Sequence, residues 1–340
     1  MAGPGALNLI TDVPGLKVGQ AEDQAARTGV TVVLPDQAAV AAVDVRGGAP
    51  GTRETDALSP TCLVDAVDAV VLSGGSVYGL DAASGVVAWL GAAGRGFAIP
   101  GSPLRAPVVP GAILFDLTNG GDKSWGLTPP YSRLGIAAAE AAGVRFALGN
   151  VGAGLGARAG LYKGGLGSAS WRLDDGTMVG ALAAANSFGS PVMPGTGVLW
   201  AAPLECANEL GGQSVPARWP AEGAWPPDTK LATAPGGNTT IAVVATDATL
   251  TPAEAQRVAI MAQDGMARAL RPVHTPFDGD CVFVLATGQR PRDAFSVLTL
   301  AQIGHAAADC LARAIARGVY EAESLGDVPS YKDLLARSSS

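Results

Sequence analysis

The 340-residue sequence predicts an α/β or α+β fold. Three observations point there. Short β-branched runs bounded by glycine and proline read as strands. Alanine- and glycine-rich patches with helical spacing follow several of them. A regular succession of strand, helix, strand and helix then fills the C-terminal part of the chain, beyond Thr239. Alternation of this kind builds sheets covered by helices.

The first strands are GVTVVLP from Gly29, AVAAVDV from Ala39 and AVVLSGG from Ala69. Gly79 to Leu90 and Arg133 to Ala142 read as helices, their many small residues suited to close packing against a sheet. From Pro203 to Gly237 the composition turns to proline and glycine without periodic apolar positions, the signature of a loop or linker; segments that long are usually functional or disordered. TTIAVVATDATL from Thr239 is a strand. Thr251, Pro252 and Glu254 then open a helix running to Leu270, with a capping box and proline at the first helical position. Cys281 to Thr287 is another strand, and Phe295 to Ala322 is a long helix expected to bury Cys310. The tail after Gly326 is polar.

Composition limits the function. Hydrophobic residues make up 48% of the chain and charged residues 16%, enough apolar area for a large core and incompatible with disorder of the whole. The net charge of −7 and the lack of any basic cluster longer than two residues argue against a nucleic-acid or anionic-membrane surface, leaving a small molecule or peptide as the default substrate. Cys62, Cys206, Cys281 and Cys310 show no C-x-x-C spacing, so they read as reduced packing residues. The N-terminus lacks the basic and apolar regions of a secretory signal, and no apolar stretch approaches the ~20 residues of a membrane span. A soluble, cytoplasmic protein is expected. Glycine (46) and proline (24) follow no fixed period, which excludes collagen-like and solenoid architectures.

The most informative stretch chemically is GGNTTIAVVATDA, Gly236 to Ala248. A Pro/Gly-rich segment runs directly into Asn-Thr at the start of a buried strand. Were the bond before Thr239 broken, Thr239 would carry both a hydroxyl and an α-amine, a known pairing of nucleophile and base. Such an amine has an ordinary pKa of about 7.7–8, near the neutral range where a general base works best. With only His274 and His305 in the chain, this route needs no histidine. A strand that begins Thr-Thr after a glycine turn is also ordinary structure.

That stretch resembles the junction of the self-processing L-aminopeptidase/D-esterase and β-aminopeptidase family, which includes the nylon-oligomer (6-aminohexanoate-oligomer) endo-hydrolases. Further blocks match in the same order: VDVRGGAPGTRETD from Val43, VLSGGSVYGLDAASGV from Val71 and VGAGLGARAGLYKGGLGSAS from Val151. The resemblance covers the chain from ITDVPGLKVG onward and implies an N-terminal-nucleophile hydrolase of α+β class, a four-layer αββα sandwich. It further implies self-cleavage between Asn238 and Thr239, giving an α fragment (1–238, including the linker) and a β fragment (239–340) that remain one structural domain.

By the same resemblance, Lys163 stands beside the nucleophile, keeping the Thr239 amine unprotonated and favouring a developing anion. Asn186 supplies an amide to the oxyanion. Asp278 and Asp280 match the two acids of the nylon-oligomer branch, where aminopeptidase members carry serine and glutamate; both could hold the Thr239 ammonium and raise its pKa, opposing Lys163. Tyr78 matches an aromatic that approaches the pocket. Taken alone, Lys163 would read as a solvated loop residue, Asn186 as a cap and Tyr78 as core. The implied substrates are short peptides, amino-acid amides or linear amide oligomers, with no cofactor, and the implied assembly is a homo-oligomer, a tetramer of αβ units.

Competing readings are weaker. GAGLGARAG from Gly152 has glycines spaced G-x-G-x-G, not the G-x-G-x-x-G of a dinucleotide site, and no acidic residue clearly ends a second strand. His274, Asp278 and Asp280 are chemically plausible metal ligands, but His305 is expected to pack in the core. SGGSVYG is not a G-x-S-x-G nucleophile elbow. Exo-acting aminopeptidase or D-amino-acid esterase/amidase activity is the alternative within the family, and a nonenzymatic glycine-rich oligomeric binding protein is the alternative outside it.

Overall fold

The computed structural model describes residues 2–218, 228–230, 237–292 and 295–338. Two sheets form its centre. Leu16–Asp23, Thr28–Pro35, Val70–Ser73, Gly111–Ile113 and Thr52–Arg53 lie side by side in that order in a five-stranded sheet. The second sheet has six strands, in the order Leu166–Arg172, Met178–Asn186, Thr239–Ala248, Cys281–Arg290, Ala39–Val45 and Ala66–Val67. Helices α1 (Ala82–Ala92) and α2 (Tyr131–Glu140) cover the first sheet; α3 (Pro252–Ala269) and α4 (Val297–Tyr320) cover the second.

Three apolar layers separate these four. Alternate residues of a strand face opposite sides, so Val33, Leu72, Leu182, Val243 and Phe283 fill the space between the sheets. Their neighbours Val32 and Val71 meet Val86 and Leu134 of the first helix pair. Val244 and Val284 meet Val258, Met266, Leu311 and Ile315 of the second. Thr239–Ala248 is therefore buried along its whole length, which is why its middle, Ile241 to Ala245, is an unbroken apolar run and not an alternating one. The architecture is the expected αββα sandwich. Where α1 crosses α2, a Cβ on Gly85 would stand 2.0 Å from the Ser132 carbonyl oxygen, so only glycine permits the approach.

The C-terminal succession is not a separable unit. Thr239–Ala248 pairs antiparallel with Met178–Asn186 on one side and parallel with Cys281–Arg290 on the other, and the latter pairs with Ala39–Val45. Strands from before and after residue 238 thus share one sheet. The capping box on α3 forms as expected, the Thr251 hydroxyl accepting from the Glu254 amide.

Several expectations need correction. His305 is exposed on α4 and faces Asp309 at 3.5 Å, because the apolar face of that helix passes through Ala306, Ala307 and Cys310 instead. Cys62 is exposed and Cys206 only half-buried, so only Cys281 and Cys310 are core residues. The first part of the Pro/Gly-rich stretch is packed: Leu210 is buried, and the Glu209 carboxylate accepts from the guanidinium of Arg313 at 2.5 and 3.0 Å. Much of its remainder, 219–227 and 231–236, lies outside the described residues. The polar tail carries helix α5 (Tyr331–Ser338), anchored by buried Tyr331, whose hydroxyl donates to the Gly197 carbonyl at 2.6 Å.

Candidate active site

The site assembles where the strand beginning at Thr239 starts. Thr239 is buried and sits opposite Asn186, the last residue of the neighbouring strand. Its hydroxyl donates to the carbonyl oxygen of Asn238. That same oxygen accepts the Gly279 amide at 2.9 Å. The carbonyl oxygen ahead of Thr239 thus accepts from both the adjacent hydroxyl and a backbone N–H. A Cβ on Gly279 would fall 2.7 Å from the Thr239 hydroxyl oxygen and 2.8 Å from the Ala49 carbonyl, so the glycine is what lets the loop reach this carbonyl.

Asp278 and Asp280 flank that glycine and are buried. The Asp278 carboxylate accepts from the Phe188 amide (3.0 Å) and from the amide and hydroxyl of Thr275 (2.9 and 2.6 Å). The Asp280 carboxylate accepts from the Thr240 amide (2.8 Å) and the His274 amide (3.1 Å), and pairs with His274 Nδ1 at 2.9 Å. Burial, and then the neighbouring Asp280 charge, raise the Asp278 carboxyl above its ordinary value. The loop after Val45 supports both acids. The amides of Arg46 and Gly47 donate to the Asp280 carbonyl, and Ala49 donates to that of Asp278 at 2.8 Å. A Cβ on Gly47 would meet the Asp278 carbonyl at 2.3 Å and one on Gly48 the Pro276 Cα at 2.7 Å, which accounts for the glycine pair in VDVRGGAPG.

Lys163 lies on the short hairpin Arg158–Ala159/Tyr162–Lys163, paired with Arg158. Its Nζ is buried and donates to the carbonyls of Gly154 (3.0 Å) and Gly164 (2.6 Å). Burial pushes this amine down to about 7, with Asp116 opposing. The GAGLGARAG stretch therefore delivers a carbonyl to Lys163 and packs against strands: a Cβ on Gly154 would stand 2.1 Å from the Leu166 nitrogen. Arg158 ties the hairpin to Asn186, its backbone N–H donating to Asn186 Oδ1 at 2.9 Å, while Asn186 Nδ2 donates to the Phe115 carbonyl at 3.1 Å.

The structure thus brings Thr239, Asn186, Asp278 and Asp280 together directly and Lys163 through the hairpin. Tyr78 is half-exposed and stands edge-on to Trp125 at 5.6 Å, which in turn meets Tyr131. Sequence reasoning passed over the Gly279 amide and Lys230, and weighed His274 only as a metal ligand, not as the partner of Asp280. His274 and Gly279 lie within HTPFDGD and were legible as neighbours of the acids; Lys230 sits in the Pro/Gly-rich stretch, where nothing marks it. Its Nζ donates to the Asn186 carbonyl (2.9 Å) and Oδ1 (3.1 Å). Burial, then Arg158, push it well below the ordinary lysine range, against the pull of Asp278 and Asp280. Among the described residues no group of three or more His, Cys, Asp or Glu side chains is placed to hold a metal ion.

The family model of peptidase family S58 matches residues 8–330. The chain belongs to peptidase family S58. It is 47% identical to an uncharacterized aminopeptidase of Mycobacterium tuberculosis (strain ATCC 25618 / H37Rv), over 96% of this chain and 98% of that protein. It is 30% identical to a 6-aminohexanoate-oligomer endohydrolase of Kocuria sp. (strain KY2), over 84% of this chain and 76% of that one. Among solved structures, the L-aminopeptidase D-Ala-esterase/amidase of Ochrobactrum anthropi, a variant of the N-terminal-nucleophile hydrolase fold, superposes with a TM-score of 0.72 at 21% identity, covering 99% and 94% of the two chains. A Burkholderia sp. β-aminopeptidase gives 0.70 at 23%, covering 99% and 96%. The S58 chain shares this fold and is a hydrolase of a peptidase family, which sets aside the nonenzymatic binding protein. No helix among its described residues is long and apolar enough to cross a membrane.

Proposed function

We propose that this S58 chain is an autoprocessed N-terminal-nucleophile amide hydrolase that cuts itself between Asn238 and Thr239 and then uses Thr239 on short peptides, amino-acid amides or linear amide oligomers. The observation that carries the reading is the Asn238 carbonyl, held between the Thr239 hydroxyl and the Gly279 N–H. In the first step the Thr239 oxygen attacks the Asn238 carbonyl carbon, and the negative charge developing on the oxygen is met by the Gly279 donor. The C–N bond breaks, the hydroxyl proton passes to the Thr239 nitrogen, and an ester links Asn238 to Thr239. Water hydrolyses the ester, leaving a carboxylate on Asn238 and a free amine on Thr239.

The freed amine then serves as base to its own hydroxyl. Asp278 and Asp280 stand on the adjoining strand entry to hold its protonated form, while Lys163 opposes protonation. Asn186 Nδ2 keeps a second hydrogen beyond the one given to Phe115, available to a substrate oxyanion. Losing one such donor typically costs ~2.7–4 kcal/mol of transition-state stabilisation. Tyr78, with Trp125, offers an apolar surface at the substrate approach. A homo-oligomer of αβ units is expected, as the family resemblance implies. The expected setting is the cytoplasm.

Thr239→Ala tests the reading: it should remain a single polypeptide of 340 residues with no amide hydrolysis, whereas the unmodified chain resolves into fragments 1–238 and 239–340 on denaturation. An uncut protein that still turns over amides refutes it. Removal of single N-terminal residues is a second reading, favoured by the 47% identity to a protein named an aminopeptidase against 30% to the oligomer endohydrolase. Product analysis on alanine amides, β-dipeptides and 6-aminohexanoate oligomers separates stepwise release from internal cleavage.

A further inference from the structure

Residues 228–230 dock on the site from within the Pro/Gly-rich stretch. The Asp228 carbonyl accepts the Leu161 amide at 2.9 Å, and its carboxylate accepts the Ser190 hydroxyl. Thr229 is buried. The Lys230 amide donates to the Phe188 carbonyl at 3.0 Å, and the side chain then reaches Asn186. Gly160, at φ +56°, accommodates the segment: a Cβ there would stand 2.5 Å from the Asp228 carbonyl oxygen.

We propose that Lys230 is a positioning residue of the mature active site, holding the side-chain amide and the main chain of Asn186 in place from the tail of the α fragment. This rests on the self-cleaving reading above. Asn186 Oδ1 accepts from both Arg158 N and Lys230 Nζ, while Nδ2 donates to Phe115, so the two ends of the amide are told apart and its N–H₂ end is fixed. The second bond, to the Asn186 main-chain oxygen, steadies the residue paired with Thr239. The anchors of Asp228 and Lys230 named above lie at positions 160–190, on the same side of the 238–239 bond. Scission of that bond therefore leaves the clamp in place, and Lys230 is not a plug that departs when the precursor matures. The like-charged Arg158 and the acids Asp278 and Asp280 surround the amine, so its desolvated position is set by this site.

The test is a mutant cycle on the processed protein: Lys230→Met, Lys230→Arg, Asn186→Ala and the Lys230→Met/Asn186→Ala pair, assayed on whichever amide the unmodified enzyme hydrolyses. Lys230→Met should lower kcat about tenfold or more with KM nearly unchanged, the scale of a lost buried hydrogen bond that leaves its acceptor unsatisfied. Lys230→Arg should recover part of the loss. In the Asn186→Ala background, Lys230→Met should add less than about a twofold loss, since the partner through which it acts is gone. Hydrogen exchange should show the Leu161 and Lys230 amides protected after processing. Unchanged turnover in Lys230→Met, a full additional loss in the Asn186→Ala background, or free exchange of those two amides in the cut protein would each overturn the proposal. An unmodified chain of intact mass that hydrolyses amides, or an active Thr239→Ala, overturns the underlying reading instead, and the Lys230 role with it.

Discussion

Gly279→Ala isolates the contribution of the loop that reaches the Asn238 carbonyl. The added methyl has nowhere to go. Its carbon would sit 2.7 Å from the Thr239 hydroxyl oxygen, 2.8 Å from the Ala49 carbonyl and 3.3 Å from the Pro50 Cα, and two of these three neighbours are backbone. Either the hydroxyl turns away from the carbonyl or the 278–280 loop backs off and lengthens the 2.9 Å bond from the Gly279 N–H to the Asn238 oxygen. The overpacking itself costs about 1–3 kcal/mol of stability. The larger effect falls on the reaction, because a displaced oxyanion donor is worth ~2.7–4 kcal/mol, or about 10²–10³ in rate. A time course of the fresh precursor by intact mass, with amide hydrolysis measured on the same samples, should show both processes slowed by that factor while the far-UV spectrum is unchanged. A Gly279→Ala protein that cuts itself and turns over at the rate of the unmodified chain would refute the oxyanion role of this amide.

Two further outcomes follow from buried charges. Burial lowers the Lys163 amine to about 7 in the folded state from 10.5 in the unfolded chain. Between those values the unfolded state binds the extra proton, so the cost of burying the charge, present in full below about pH 7, is relieved as pH rises. Thermal melts from about pH 6 to 9 should show the unmodified protein gaining on Lys163→Met with rising pH; a constant difference refutes the lowered value. Glu209→Ala would strand Arg313 and Arg317, both facing its carboxylate in the interior at 2.5 and 3.5 Å. Loss of one member of a buried ion pair costs about 3–5 kcal/mol, readable as a fall in the urea midpoint with an unchanged slope, and a shift near zero would show the cluster to be solvated.

The elements with strong local signals were legible. The strands at Thr28–Pro35, Ala39–Val45 and Thr239–Ala248 and the capped start of α3 stand where the pattern puts them, since strands packed inside a sandwich draw on β-branched and small apolar residues and Thr251, Pro252 and Glu254 act within one turn. Thr239, Asn186 and the Asp278/Asp280 pair were singled out through blocks of sequence. What those blocks do was not. VDVRGGAPG braces the acids, VLSGGSVYG wraps a buried Asp116 that accepts the Gly75 amide at 2.8 Å, and the glycines after Val151 present a carbonyl to Lys163. His305 went the other way: helical periodicity left its face ambiguous, and packing turned it to solvent.

By itself the sequence determined which segments are buried strands, which are amphipathic helices, and where a threonine follows an asparagine at the head of a fully buried strand. Those properties depend on residues a few positions apart. The tertiary structure alone decided that a backbone N–H from residue 279 meets the carbonyl of residue 238, and that a lysine from an irregular stretch reaches Asn186 across 44 residues. Backbone donors carry no side-chain signature. Contacts between distant segments are fixed by how two sheets and four helices exclude water from three layers at once, and no local pattern records that solution.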